Sequence, residues 1–292
     1  MNNLEKLPKF NSDFNTISND FIKQGIQIDK PAFYDSKPFL KVENQNEFYR
    51  YNYARFVQTR PYSNEYLIKA RNEIRFISEL LNQELIKDGQ KGACIDTSLI
   101  LSRMLEKEGF WNFPVSGKLT IKFPKCSKTP YLYFEPTNNI PDCSHTWLFA
   151  PPFKVLDITI KQQKYTKDIE SFIPNTIFSE TMNNCQIEPR DIYIKDLNKH
   201  KNKGKSNAKL MKPFNNHYGE FINTFKPYII NYQKTIFKYI ALNITLPGST
   251  LEEVNDLNSN DIFRINDNNG LQIYNNIILP QLKEYREKEQ HC

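Results

Sequence analysis

The chain has 292 residues, 39% hydrophobic and 25% charged, which supplies a core and excludes a chain disordered by composition. Thirty-nine basic against 33 acidic residues leave a formal charge of +6, a mild excess without the concentrated patch that a nucleic-acid binder carries. Five cysteines, Cys94, Cys126, Cys143, Cys185 and Cys292, form no CxxC pair, so a zinc ribbon and a thioredoxin-like site are excluded, and the length excludes a small disulfide scaffold.

Residues 1–45 are polar, with scattered aromatics and prolines, and read as part of an irregular N-terminal arm over residues 1–63. The opening segment has no apolar h-region, and no apolar run approaches the ~20 residues that span a bilayer. A reducing, cytoplasmic setting is the expectation, with no membrane partner. Leu67, Ala70, Ile74, Ile77, Leu81 and Leu85 recur at helical spacing, predicting a helix over residues 64–87 that Gly89 ends. A second helix is predicted over residues 94–108. Cys94, Ser98, Leu101 and Leu105 share one of its faces by the i, i+4, i+7, i+11 rule, and Gly109 stops it.

The period then changes to that of strands. Residues 114–123, 131–135, 144–150 and 154–160 are predicted strands, the last two joined at Pro151-Pro152. A helical region followed by a sheet is an α+β order. Residues 161–195 are mixed, and the basic run from Lys199 to Lys212 reads first as a solvated loop near a boundary and second as a contact for an acidic partner. Phe221, Phe225, Tyr228, Tyr232 and Phe237 are spaced for a helix across residues 218–242, best explained as core packing. Residues 251–290 read as helical with Asn/Asp-rich breaks. The expected division is an arm (1–63), a core (64–195) and a mostly helical C-terminal region (196–292).

Chemistry is suggested at three places. Cys94 follows Gly92-Ala93 at a helix start, where free N–H groups and the helix dipole favour negative charge; a thiolate, the reactive form of cysteine, is favoured there. The same N–H groups can serve an oxyanion. In a strand, His145, Trp147 and Phe149 share a face. A reversal at Pro151-Pro152 puts His145 and Asp157 on neighbouring antiparallel strands, opposite or diagonal. Asp157 sits in the apolar run Val155-Leu156-Asp157-Ile158, where a carboxylate needs a partner, and His145 supplies one. A carboxylate beside an imidazole fixes its tautomer, the orientation a Cys–His pair requires. His217, before an aromatic helix, is the competing histidine; His200 and His291 lie in the basic loop and the tail. Cys126 and Cys143 flank predicted strands and are expected as free thiols. No P-loop, GxGxxG or metal-ligand spacing occurs, so no cofactor or metal is expected.

The motifs G-A-C-I-D-T-S at 92–98, L-S-R-M-L at 101–105, Gly109, H-T-W at 145–147 and L-D-I-T at 156–159 resemble, in order and spacing, the transglutaminase-like superfamily of papain-like cysteine enzymes. The resemblance covers residues 64–160. It implies a papain-like/transglutaminase-like α+β core, with a Cys-bearing helix packed on an antiparallel sheet that bears His and Asp, and a mostly helical C-terminal extension. Cys94 then corresponds to the nucleophile, His145 to the general base and acid, and Asp157 to the orienting residue. Trp147 and Gln90 correspond to the site wall and the oxyanion side chain. Ile95 stands where many members carry Trp, and Gln90 is closer to the cysteine than the oxyanion glutamine of papain-type enzymes. The implied activity is hydrolysis or exchange of an amide or peptide bond through a thioacyl-enzyme, with a peptide or protein substrate and no nucleic acid. The alternative is a non-catalytic protein- or nucleic-acid-binding module that retains the fold.

Overall fold

The computed structural model describes residues 13–134, 144–181, 183–192, 206–254 and 261–290. Three short helices come first: α1 (Phe14–Lys23), α2 (Lys37–Glu43) and α3 (Arg50–Thr59). This part of the expected irregular arm is therefore helical. The Asp13 side chain caps α1 by accepting from Thr16 N–H. Phe21, Phe33, Phe39, Tyr53 and Phe56 are buried together, with Phe33 edge-on to Tyr53 and Phe56 at 4.9 and 5.3 Å. The aromatics that looked scattered in a polar sequence form, with Ile17, Ala54 and Val57, the apolar face of this segment.

The long helix α4 (Asn64–Asp88) starts at the Ser63 cap and ends at Gly89. Helix α5 (Cys94–Lys107) follows after a short loop, and both match their predicted spans closely. The sheet then begins with β1 (Phe113–Lys122), β2 (Tyr131–Tyr133), β3 (His145–Ala150) and β4 (Phe153–Asp157). Short elements follow: α6 (Lys167–Glu170), β5 (Ile177–Ser179), β6 (Asn183–Asn184) and α7 (Pro189–Ile192). Helix α8 (Asn207–Thr224) leads to the hairpin β7 (Tyr228–Tyr232) and β8 (Thr235–Ile244). The chain closes with α9 (Gly270–Ile273), a π-helical turn over Tyr274–Ile278, and α10 (Leu279–Gln290).

Every described strand pairing is antiparallel, in the order β5-β4-β3-β1-β8-β7-β6. Strand β2 pairs with the end of β1, through Thr120, Ile121 and Lys122, beyond the residues that β3 takes. The predicted helix across residues 218–242 ends at Thr224, and residues 228–244 are strands. Pro227 offers no N–H to continue a helix, and the isoleucines at 229, 230, 236 and 240 favour the pleated surface. The aromatic spacing imitated a helix because helix end and hairpin were read as one segment. Strand β8 lies beside β1 in the middle of the sheet, so the C-terminal region supplies a central strand of the same sheet rather than only a helical annex.

The sheet is buried on both faces. One face packs Leu148, Ala150 and Leu156 against Ile74 and Leu81 of α4, Leu101 and Leu105 of α5, and Ile273, Ile278 and Leu282 near the C-terminus. The other packs Val115, Leu119, Trp147, Val155, Phe237 and Tyr239 against the aromatic N-terminal helices. All six residues of β3 are buried, which is why it shows no alternation of polar and apolar types. Among the described residues, no helix is long and apolar enough to cross a membrane.

Candidate active site

Cys94 is the first residue of α5. Ala93 precedes it and makes no side-chain cap bond, so the N-cap residue offers the leading N–H groups no side-chain acceptor. Gly92 takes φ +89°, a left-handed conformation that favours glycine, and its N–H donates to Gln162 O at 2.8 Å. Asn82 of α4 donates to Ile158 O at 2.7 Å. These two bonds tie the cysteine loop and α4 to the chain that leaves β4. Ser98, one turn into α5, donates to Thr146 O at 3.3 Å, which ties the helix to β3 beside His145. Below it Leu101 and Leu105 enter the aliphatic core. The face predicted for Cys94, Ser98, Leu101 and Leu105 is thus the face turned to the sheet.

His145 opens β3 opposite Gly117 of β1. Asp157 closes β4, one step beyond the Leu148–Leu156 pair, so it lies diagonal to His145 on the face they share. His145 Nε2 and Asp157 Oδ2 are 2.6 Å apart, with both side chains inaccessible to solvent. The carboxylate is fully engaged. Its Oδ1 accepts from Thr159 N–H and Thr159 Oγ1–H, each at 3.0 Å. Its Oδ2 accepts from Nε2 and also from Tyr239 O–H at 2.8 Å. Gln163 holds the turn by donating to Thr159 O at 3.0 Å. The second residue after Asp157 in the L-D-I-T run is therefore a direct ligand of its carboxylate.

The electrostatics follow from these contacts. Burial alone would raise Asp157, but His145, Tyr239 and Thr159 together hold it below the ordinary carboxylate value. Burial alone would lower His145, but the Asp157 charge and hydrogen bond outweigh it. Cys94 adds to them, and the imidazole is raised to about 10. A carboxylate at Nε2 requires an N–H there, which leaves Nδ1 as the lone-pair nitrogen of the neutral ring. Nδ1 is buried and meets no partner in full hydrogen-bond geometry. Cys94 is among the groups that raise the ring. Nδ1 is the ring nitrogen that Asp157 leaves unengaged.

The surroundings are aromatic. The Phe134 ring stacks over His145 at 5.6 Å and 21°, and Tyr165 meets Phe134 edge-on at 6.1 Å. Trp147 is 2% exposed, 6.4 Å from the His145 ring and 4.9 Å from Tyr239. Trp147 flanks the imidazole within the core. Gln90 lies in the loop before Gly92; its Oε1 is buried without a partner, and no described contact joins it to Cys94 or His145. His217 is on α8 against the Tyr218 ring at 4.4 Å, outside this cluster. Cys126 and Cys185 are free thiols, while Cys143, His200 and His291 lie outside the described residues. Among the described residues, no three His, Cys, Asp or Glu side chains are grouped to hold a metal.

Two contributors escaped the sequence reading. Thr159 was visible as part of the L-D-I-T run, without a role. Tyr239 was hidden inside the region read as a helix; the only available signal was the alternation Thr235, Phe237, Tyr239, Ala241 on one strand face. Comparison with protein-family models, with curated proteins and with solved structures gave no match.

Proposed function

We propose that the chain is a transglutaminase-like cysteine enzyme, in which Cys94, His145 and Asp157 break or exchange an amide or peptide bond. The observation that carries this reading is the fully buried 2.6 Å contact between Nε2 of His145 and Asp157, which leaves Nδ1 of the ring unengaged. With the imidazole raised to about 10, both ring nitrogens carry protons at neutral pH; Nδ1 holds the proton that the sulfur gives up, and the sulfur attacks the carbonyl carbon. The oxyanion that forms is met by the uncapped N–H groups at the start of α5; this role goes to the backbone rather than to Gln90. When the C–N bond breaks, the proton on Nδ1 passes to the departing amine and a thioacyl-enzyme remains. Water then attacks, gives its proton to Nδ1, and releases the acid and the free thiol. An amine in place of water gives transamidation. Hydrolysis is the reading adopted, because water is the default acceptor.

One observation favours a binding module that keeps the fold without the reaction. Cys94, His145 and Asp157 are only 6%, 2% and 1% exposed, so substrate must reach a nearly closed site. An activated ester separates the two readings. On incubation with p-nitrophenyl acetate, the enzyme accumulates an acetyl group on Cys94, detectable by mass spectrometry and absent in Cys94→Ala and His145→Ala. Acetylation spread evenly over the cysteines, or unaffected by His145→Ala, would leave only the module.

A further inference from the structure

Tyr239 is the fourth member of the buried cluster, and it comes from a distant part of the chain. It sits on β8, paired with Leu119 of β1, while β3 flanks β1 on the other edge. It has no solvent exposure, and its ring is edge-on to Trp147 at 4.9 Å. Its hydroxyl donates to Asp157 Oδ2 at 2.8 Å, the same oxygen that receives His145 Nε2. Burial, with the nearby Asp157 charge, pushes the Tyr239 hydroxyl well above its ordinary value, so it is a donor across the whole working range of pH. Other buried tyrosines also place their hydroxyls on carboxylates, as Tyr34 does on Glu106, Tyr49 on Asp20 and Tyr274 on Glu108. Tyr239 places its hydroxyl on the carboxylate that orients His145.

We infer that Tyr239 is a positioning residue of the triad, which fixes the Asp157 carboxylate from β8 and so sets the orientation of His145. This role rests on the reading proposed above. The argument is one of reference frames. Thr159 holds Oδ1, but it lies two residues from Asp157 on the same turn and moves with it. Tyr239 holds Oδ2 from a strand 82 residues later and refers the carboxylate to the middle of the sheet. That frame is tight at Gly117, which faces His145 on one edge and Ala241 on the other. A Cβ on Gly117 would lie 1.9 Å from Ile240 O, so β8 approaches β1 as closely as it does only because the residue is glycine. The hydroxyl also takes a share of the Oδ2 charge. With one donor lost, Oδ2 faces the imidazole alone, the carboxylate is freer to turn, and the proton balance between Asp157 and His145 changes.

The test is a double-mutant cycle read through Cys94. Second-order rates of Cys94 alkylation by iodoacetamide are measured from pH 5 to pH 9 for the wild type, Tyr239→Phe, Asp157→Asn and the double variant. Tyr239→Phe keeps the ring and its contact with Trp147. It is expected to change the rate at pH 7 by about three- to tenfold, a part of the effect of one hydrogen bond to a charged group, and to displace the pH profile. In the Asp157→Asn background the same change is expected to alter the rate by less than about twofold, because the group it acts through is gone. A Tyr239→Phe profile that superimposes on the wild type, or equal factors in both backgrounds, would overturn the role while leaving the triad standing. A wild-type profile unchanged by Asp157→Asn would remove the triad itself, and the role with it. Should Tyr239→Phe not fold, the unaltered chain still decides. The Tyr239 hydroxyl proton and the His145 Nε2 proton share one oxygen, so an NMR cross-peak between them is expected, and its absence overturns the assignment.

Discussion

The two faces of the sheet are built from different chemistry. Beneath α4 and α5 the core is mainly aliphatic, with Leu81, Leu101, Leu105, Leu148, Leu156 and Ile158 in one cluster beside fewer rings, Phe110, Phe153, Phe263 and Tyr274. On the opposite face, under the N-terminal helices, it is aromatic, and it is here that His145, Asp157 and Tyr239 lie in a row. The thiol stands at the start of α5, a helix packed on the aliphatic side. An aromatic layer brings hydroxyls with it, and Tyr239 uses one to satisfy Asp157, whose ionised state in a dry interior would otherwise be costly. One layer therefore serves to seat a rigid helix, and the other to keep a charge pair in place.

That division can be broken at either face. The largest expected effect on stability is on the aliphatic side. Leu105→Ala, at a fully buried residue three turns from the thiol, should cost about 2–5 kcal/mol in denaturant unfolding. It should leave the pH profile of Cys94 alkylation with the wild-type shape; a displaced profile would show that the two layers do not act separately. On the aromatic side the signature is dependence on pH. The folded-state pKa of His145, about 10, stands above the ordinary value of 6.5. Its stabilisation is complete below pH 6.5 and is lost as pH rises toward 10. Asp157, held below its ordinary 3.8, stabilises above that pH and ceases to do so as pH falls through its lowered value. In a Cys94→Ala background, which removes titration of the thiol, unfolding free energy should fall between pH 6.5 and 10. The slope should reach at most about 1.4 kcal/mol per pH unit and should flatten in Asp157→Asn.

Smaller effects sharpen the account of how the layers are joined. Gly117→Ala forces a methyl group onto the Ile240 carbonyl and should cost about 1–3 kcal/mol as β8 moves away from β1. Tyr239 rides on β8, so the same variant should slow Cys94 alkylation at pH 7; an unaltered rate would separate the strand packing from the site. Ser98→Ala removes the bond to Thr146 O and should cost about 1 kcal/mol in thermal unfolding, the least of the four.

Much of the α+β order and the spacing of Cys94, His145 and Asp157 was legible because each lies in a segment whose signal is local. Helical periodicity runs from Leu67 to Leu85, the helix start is marked by Gly92 and Ala93, and the turn between two short strands is marked by Pro151-Pro152. His145 and Asp157 could be paired because only a few residues separate their strands. Tyr239 could not be found that way. It reaches Asp157 through β1, a partnership between strands more than a hundred residues apart in the chain, and no local period encodes it. Its own segment read as helix because Phe221, Phe225, Tyr228 and Tyr232 keep helical spacing across the break at Pro227. The N-terminal helices were missed for a related reason. Their apolar stripe is made mainly of aromatics in polar surroundings, and it has meaning only against the face they cover.

The most direct measurement of the central claim is the competition among the cysteines for iodoacetamide near pH 7. The account predicts that Cys94, although 6% exposed, is carboxymethylated faster than the exposed Cys126 and the half-buried Cys185, and that His145→Ala abolishes this preference by at least about tenfold. Reaction in order of exposure, with Cys126 first and Cys94 last and no response to His145→Ala, would contradict it.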